Sequence, residues 1–474
     1  MIIADPLFPS YSRLCSLQET YRRHTLDKQA LLDESAALQA DVEKLNTAGP
    51  LLATRFKFYQ DMRGYVTDLV ECLDEKIPVL VALEQRALTL VERQASGLIT
   101  RRRQDVKDQA EEMSPANPNN KILGLGSGRH TNEELTRRIA EREGRRIRRM
   151  RAREKISGGG GGHIEGMSSD EEVTETEASA YRLQRETIES DARIVFEDVN
   201  EEFSQVECVL GKFARWKKFE PDQYRDAYVS LCLSKILGPF VRFNILFWNP
   251  LTQPLKSLEE ERWFQSLLLY GLDGSETEES LVQDPDVMLL PKVIEKVILT
   301  KLENVVKAAY DPLSNSQTVC LVSSITKLVQ DYPTLDCDCK ILNSLLDTIV
   351  EKCRNAVADD VFIPIYMNDV ESGRTSLFFQ RQFASAVKLL GNIVRWHGLL
   401  SDEIVIQIAI DSLLNRYLIL GLRTFADPLV AAEKCKMVSS VLPRSWLNPN
   451  SGITQLDMFI RQVRQITDKL KNSV

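Results

Sequence analysis

The sequence predicts an all-α protein in three parts. An N-terminal coiled-coil helical hairpin covers 11–108. A charged, largely disordered linker covers 109–178 and carries an Arg-rich helix and an acidic SSDEE stretch. A C-terminal multi-helix domain, solenoid-like or an irregular bundle, covers 179–474. Three observations carry this reading. Leu14, Leu17, Tyr21, His24, Lys28, Leu31, Ser35, Leu38, Val42 and Leu45 follow one another in alternating steps of three and four, the a/d seam of a heptad repeat. Residues 137–155 hold nine Arg and one Lys against three Glu, a local +7 in a chain of net charge −8. Beyond Tyr181, ten helical patterns succeed one another, separated by breaks such as Gly238-Pro239, Asn249-Pro250, Asp311-Pro312 and Tyr332-Pro333, with few alternating strand patterns. No strict repeat of fixed period runs through them.

In the first part, His24, Lys28 and Ser35 weaken the middle of the seam, and Gly49-Pro50 is expected to end the first helix. A second amphipathic helix follows, with Phe56, Tyr59, Met62, Val66, Leu69, Val70 and Leu73 at helical spacing; Pro78 interrupts it and Val79–Val91 resumes the pattern. Two long helices with a short break between them give the hairpin. Arg101, Arg102 and Arg103 then read as a solvated helix end.

The second part begins as a loop. Its GLGSG piece lacks both a preceding strand and a following Lys-Ser/Thr pair, so it is not a phosphate-binding loop. Thr131 with Glu134 forms a capping box for the Arg-rich helix. That helix is polar on nearly every face, and Ile139, Ile147 and Met150 cannot supply a core, so a partner is expected to order it. The candidate residues for binding a nucleic acid or an acidic partner are Arg137, Arg138, Arg142, Arg145, Arg146, Arg148, Arg149, Arg151 and Arg153. A polyglycine tether follows at 158–162. Ser168 and Ser169 each have an acid three residues downstream, Glu171 and Glu172, which makes them candidates for an acidophilic kinase; the alternative is an unmodified linker. The basic and acidic halves of the linker can pair, which would mask the arginines until a polyanion competes.

Several function classes find no support. Nine scattered cysteines, an odd number, and no secretory apolar run at MIIADPLFPS predict free thiols in a reducing compartment. Four histidines and an isolated C-x-C at Cys337 and Cys339 give no zinc spacing, so neither metal nor cofactor is expected. No apolar run reaches the length of a membrane span, and a membrane partner is not expected. Nucleophile-elbow, metalloprotease and Walker signatures are absent, and no catalytic residue is assigned. Asp359-Asp360 could be a carboxylate pair but reads better as a helix end before the extended VFIPIY stretch. His397 reads as packed or surface, and the five tryptophans as anchors of helix packing.

The long blocks YRDAYVSLCLSKILGPFVRFNILFWNPL (224–251), DPLSNSQT (311–318), DDVFIPIY (359–366), FFQRQFASAVKLLGNIVRWHGLL (378–400) and LLNRYLILGL (413–422) strongly resemble the GC-rich-sequence DNA-binding-factor family, which includes PAX-interacting adaptor proteins. FKFYQDMRGYVTDLVECLDEK (56–76), the arginine block and EGMSSDEE (165–172) resemble it too, so the likeness covers nearly everything after residue 14. The chain departs from the family at Ser234, where members usually carry proline, and the helix start there is expected to loosen. Members tend to extend further at both ends, so a shortened form is expected. The resemblance implies an all-α C-terminal domain, nuclear residence and a non-enzymatic role in the spliceosome at the intron-lariat stage. It also implies partnership with a G-patch protein and, through it, a DEAH-box helicase, with RNA as a possible further contact. The competing implication is a DNA-binding transcription regulator or adaptor for transcription factors; no helix-turn-helix, zinc-finger or basic-zipper pattern supports direct DNA reading.

Overall fold

A computed structural model describes residues 7–113, 129–157, 164–167, 170–272, 284–335, 339–365, 373–448 and 452–473. Among these every regular element is helical, apart from a single bridge between His397 and Leu400. The chain forms two units, 1–74 and 75–474.

Helix α1 runs unbroken over Leu7–Met113, through both Gly49-Pro50 and Pro78, so the hairpin expected from the sequence is one continuous helix. A proline deletes one backbone bond and crowds the preceding turn, at a cost of about 3 kcal/mol. Strong helix formers on either side, Leu51, Leu52 and Ala53 among them, sustain the helix, and Thr54 Oγ1 donates to the Pro50 carbonyl at 2.8 Å. The seam residues Leu14, Leu17, Tyr21, Leu31, Leu38, Val42 and Leu45 are all more than half exposed.

Within the second unit, Leu83, Ala87 and Leu90 of α1 pack on Ile188 and Ala192 of α3 (Glu175–Ile194), with Val195 and Leu246. Lys76–Asp198 at 2.6 Å, Arg86–Asp191 at 2.7 Å and a fork from Arg242 to Glu84 flank this apolar strip. Thr174 and Glu177 form a capping box that starts α3. Between Ala180 and Phe213 the chain is divided: α3 ends at Ile194, and a turn precedes the helices Glu201–Ser204 and Val206–Phe219.

The rest is a stack of helices around a shared apolar core. Leu299–Ala309 packs on Lys340–Asp359, and Gly373–Val394 packs on the π-helical segment Gln407–Leu418. Phe379 and Phe383 meet Phe425 edge-on at 5.1 and 5.7 Å. Gly421 lets this contact close, since a Cβ there would stand 2.9 Å from the Phe383 ring. Trp396 is fully buried against Tyr310, whose hydroxyl shares a hydrogen bond with Thr318 at 3.0 Å. The segment Asp402–Thr424 is long and apolar enough to cross a membrane by length and composition; Ile408, Ala409, Ile410, Leu413, Leu414 and Leu418 are buried in the fold. The helix containing Ser234 starts at Val229, after Tyr228 at φ +52°, and Ser234 is buried within it, its hydroxyl donating to the Leu231 carbonyl at 3.4 Å.

The described cysteines are free thiols, and burial pushes the Cys353 thiol up to about 12. Cys337, with its C-x-C reading, lies outside the described residues, as do Ser168 and Ser169 and the side chain of Thr131. Phe383 sits at the centre of the aromatic cluster with no exposed surface. Replacing it by alanine is expected to cost about 3–5 kcal/mol, measured as a lower urea midpoint with little change in slope.

Candidate functional site

The arginine block is α2, Arg129–Ser157. Its interior seam is guanidinium where other helices carry leucine. Arg138, Arg142, Arg145 and Arg149 recur in steps of four, three and four, so they share one face. Across from them, α1 presents Asp105, Asp108 and Glu112, again at helical spacing. Arg138 grips Asp108 at 2.8 and 3.2 Å, Arg142 reaches Glu112 at 3.2 Å, and Arg145 donates to Asp105 at 2.5 Å. The acidic stretch beyond the tether closes the arrangement. Asp170 Oδ2 accepts from Arg145 at 3.1 Å and Arg149 at 3.2 Å, and Glu172 takes Arg148 at 2.6 Å. Glu171 accepts from Ser314 at 2.7 Å. The partner that orders this helix is therefore the chain itself. Over its described residues, the stretch read as a linker is bound down by ion pairs.

Burial makes these pairs consequential. Arg142 and Arg145 are 4% and 5% exposed, and Asp108 is 3% exposed. Burial works against the charge on Arg145, but Asp105 and Asp170 outweigh it and the guanidinium pKa rises. On Asp105 burial wins over Arg145, and its carboxyl lies above the usual range. Asp108 goes the other way: burial opposes its charge, yet bonds from Arg138 and Gln104 hold it below the usual range. The end of α1, read as solvated, is also engaged. Arg102 forks onto Asp311 at 2.5 and 3.2 Å, and Arg103 onto Asp360 at 2.8 and 3.1 Å. Asp359 and Asp360 end the Lys340–Asp359 helix and serve these arginines. His397 lies edge-on to Trp446 and 3.3 Å from Asp402. Among the described residues no group of His, Cys, Asp or Glu has the arrangement of a metal site.

The nine candidate arginines thus divide by face. Arg138, Arg142, Arg145 and Arg149 are committed inward. Arg146 pairs with Glu143 and Gln109 on the flank, and Arg153 is half-buried. The outer stripe is Arg137, Arg148 and Arg151 with Lys155, all exposed. Composition alone had treated the nine as equivalent. The signal that separates them was present in the spacing of the inward four and in the matching acids of α1.

Beside the seam lies a cavity of about 1080 Å³ between the end of α1, α2, residues Glu165, Gly166, Asp170 and Glu171, and the Gly373–Val394 helix. Arg381 and Lys388, not singled out in the sequence, stand in its wall. Burial, and then the like charge of Arg102, bring Lys388 down to about 8.

Residues 206–419 match the model of the GC-rich sequence DNA-binding factor-like protein family. PAX3- and PAX7-binding protein 1 of Homo sapiens is 36% identical over 477 residues, covering 98% of this chain and 51% of that protein. Intron Large complex component GCFC2 of Mus musculus is 32% identical over 468 residues, covering 98% of this chain and 60% of that one. Transcriptional repressor ILP1 of Arabidopsis thaliana is 26% identical over 245 residues, covering 51% and 26%. The chain spans about half the length of the first of these relatives.

Arg145→Gln leaves Asp105 and Asp170 without their shared cation and is expected to cost about 3–5 kcal/mol, whereas Arg151→Gln should stay within about 0.5 kcal/mol; denaturant unfolding of both variants checks this. Unfolded lysine titrates near pH 10.4, above the folded value for Lys388. Between about pH 8 and 10.4 the unfolded chain therefore binds more protons at this position, and its contribution to stability rises with pH. Relative to Lys388→Met, the wild type should gain stability between pH 7 and 9.5 in urea denaturation.

Proposed function

From the match of residues 206–419 to the GC-rich sequence DNA-binding factor-like family, we propose that the chain is a nuclear, non-enzymatic scaffold of pre-mRNA splicing. It acts at the intron-lariat stage, where a G-patch protein and, through it, a DEAH-box helicase are its partners. The observation that carries this reading is the exposed heptad seam of α1. Leu14, Leu17, Leu31, Leu38 and Leu45 stand in solvent at coiled-coil spacing, a surface suited to a partner helix. The name of the mouse relative, Intron Large complex component GCFC2, supports the splicing assignment.

The outer stripe of α2 adds a second contact. Arg137, Arg148 and Arg151 can lie along an RNA backbone or an acidic protein surface, each neutralised phosphate adding salt-dependent affinity. Arginine keeps its charge at all accessible pH, so this contact responds to salt and hardly to pH. The second reading, a transcription regulator or adaptor, draws on the names of two relatives, one a PAX3- and PAX7-binding protein and one a transcriptional repressor.

Affinity capture of the full chain from nuclear extract separates the two. Lariat-stage splicing proteins should be recovered after DNase treatment. Leu31→Glu with Leu38→Glu should lose them while the melting temperature of the helical domain stays the same. Recovery of chromatin partners alone would overturn the splicing reading.

A further inference from the structure

Arg146 of α2 and Arg381 of the Gly373–Val394 helix donate to the same atom. Their Nη2 groups stand 2.6 and 3.3 Å from Gln109 Oε1. That shared acceptor is neutral. Their carboxylate partners, Glu143 and Glu165, are about half exposed, at 49% and 52%; pairs so open to water contribute little. Burial, and then the nearby charge of Arg381, hold the Arg146 guanidinium below its ordinary range. Arg381 Nε is buried and has no acceptor. Two forked cations therefore converge on a point held by an uncharged oxygen. Both line the cavity beside the seam, whose wall carries ten Arg and Lys against eight Asp and Glu, an excess of two positive charges.

Phosphate oxygens, like those of carboxylates, suit forked guanidinium groups, through charge-assisted hydrogen bonds roughly twice as strong as neutral ones. We propose that this cavity binds a phosphate monoester dianion, one oxygen of which replaces Gln109 Oε1 between Arg146 and Arg381. The two convergent guanidinium groups match the charge of a dianion. A larger polyanion would meet Glu165 and Asp170 on the same wall and be repelled. The site goes beyond the scaffold role and does not depend on it. Two sources could supply this chemistry. One is a free phosphorylated small molecule. The other is phosphoserine of this chain, because Ser168 and Ser169 lie in sequence between Gly166 and Asp170, both residues of the cavity wall. Gly166 is itself pinned there: its φ is +99°, and a Cβ would stand 2.4 Å from the Arg381 carbonyl oxygen.

The test uses the full chain, with inorganic phosphate and O-phosphoserine as probes at constant ionic strength, read by melting temperature and phosphorus NMR. Phosphate should raise the melting temperature saturably. Arg146→Gln and Arg381→Gln should each weaken binding by roughly tenfold or more, with helical circular dichroism unchanged, and Arg151→Gln should not weaken it. Gln109→Glu places a carboxylate between the two cations. It should abolish phosphate binding while raising the melting temperature in phosphate-free buffer. Phosphorylating Ser168 and Ser169 with an acidophilic kinase distinguishes the sources. Loss of free-phosphate binding assigns the cavity to the chain's own phosphoserine, and unchanged binding assigns it to a free ligand. The proposal is overturned if Gln109→Glu keeps full phosphate affinity. It also fails if the unmodified chain gives no saturable response and the phosphorylated chain has the same phosphorus spectrum with and without Gln109→Glu.

Discussion

The arrangement of the region around α2 rests on guanidinium groups buried against carboxylates. Arg145 joins α2 to Asp105 of α1 and to Asp170 beyond the polyglycine, so a single side chain ties together three segments far apart in sequence. A buried pair of this kind adds little net stability over a well-packed apolar contact, but breaking one side of it is costly. It therefore acts on specificity. The fork of Arg138 onto Asp108 and that of Arg102 onto Asp311 fix register and orientation in a way that interchangeable leucines would not.

This division of labour explains which features the sequence made legible. The helical domain was readable because its helices carry apolar residues at a 3.6-residue period and are punctuated by proline. Asn315–Asp331, Lys340–Asp359 and Pro428–Val441 all lie close to where that pattern puts them. The exposed seam of α1 was readable for the same reason. Continuity through Gly49-Pro50 was not, because a local propensity was weighed without the length of helix on either side. The docking of α2 was not legible because its seam is charged, not apolar. A stripe of Arg138, Arg142, Arg145 and Arg149 facing Asp105, Asp108 and Glu112 has the rhythm of a packed seam in a different chemistry. Arg381 and Lys388 were beyond reach, since only the fold brings the Gly373–Val394 helix to the end of α1.

The two faces of α2 have separate consequences. Its inward arginines are part of the architecture and unavailable to a polyanion without dismantling it. Its outer stripe remains open to solvent, and the flank residue Arg146 faces the cavity. One helix thus supplies a structural joint, an exposed basic surface and one wall of the cavity, and a block substitution of all its arginines would confound the three.

A joint made of charge also responds to temperature differently from the core around Phe383 and Trp396. Separating α2 from α1 uncovers mainly ionic and polar surface, so it brings little of the heat-capacity increase that apolar exposure causes. The penalty for dehydrating ions falls on warming, while apolar attraction fades on cooling. Warmth would tighten the arginine fastening, whereas cold would restore its dehydration cost and slacken the leucine and phenylalanine packing as well.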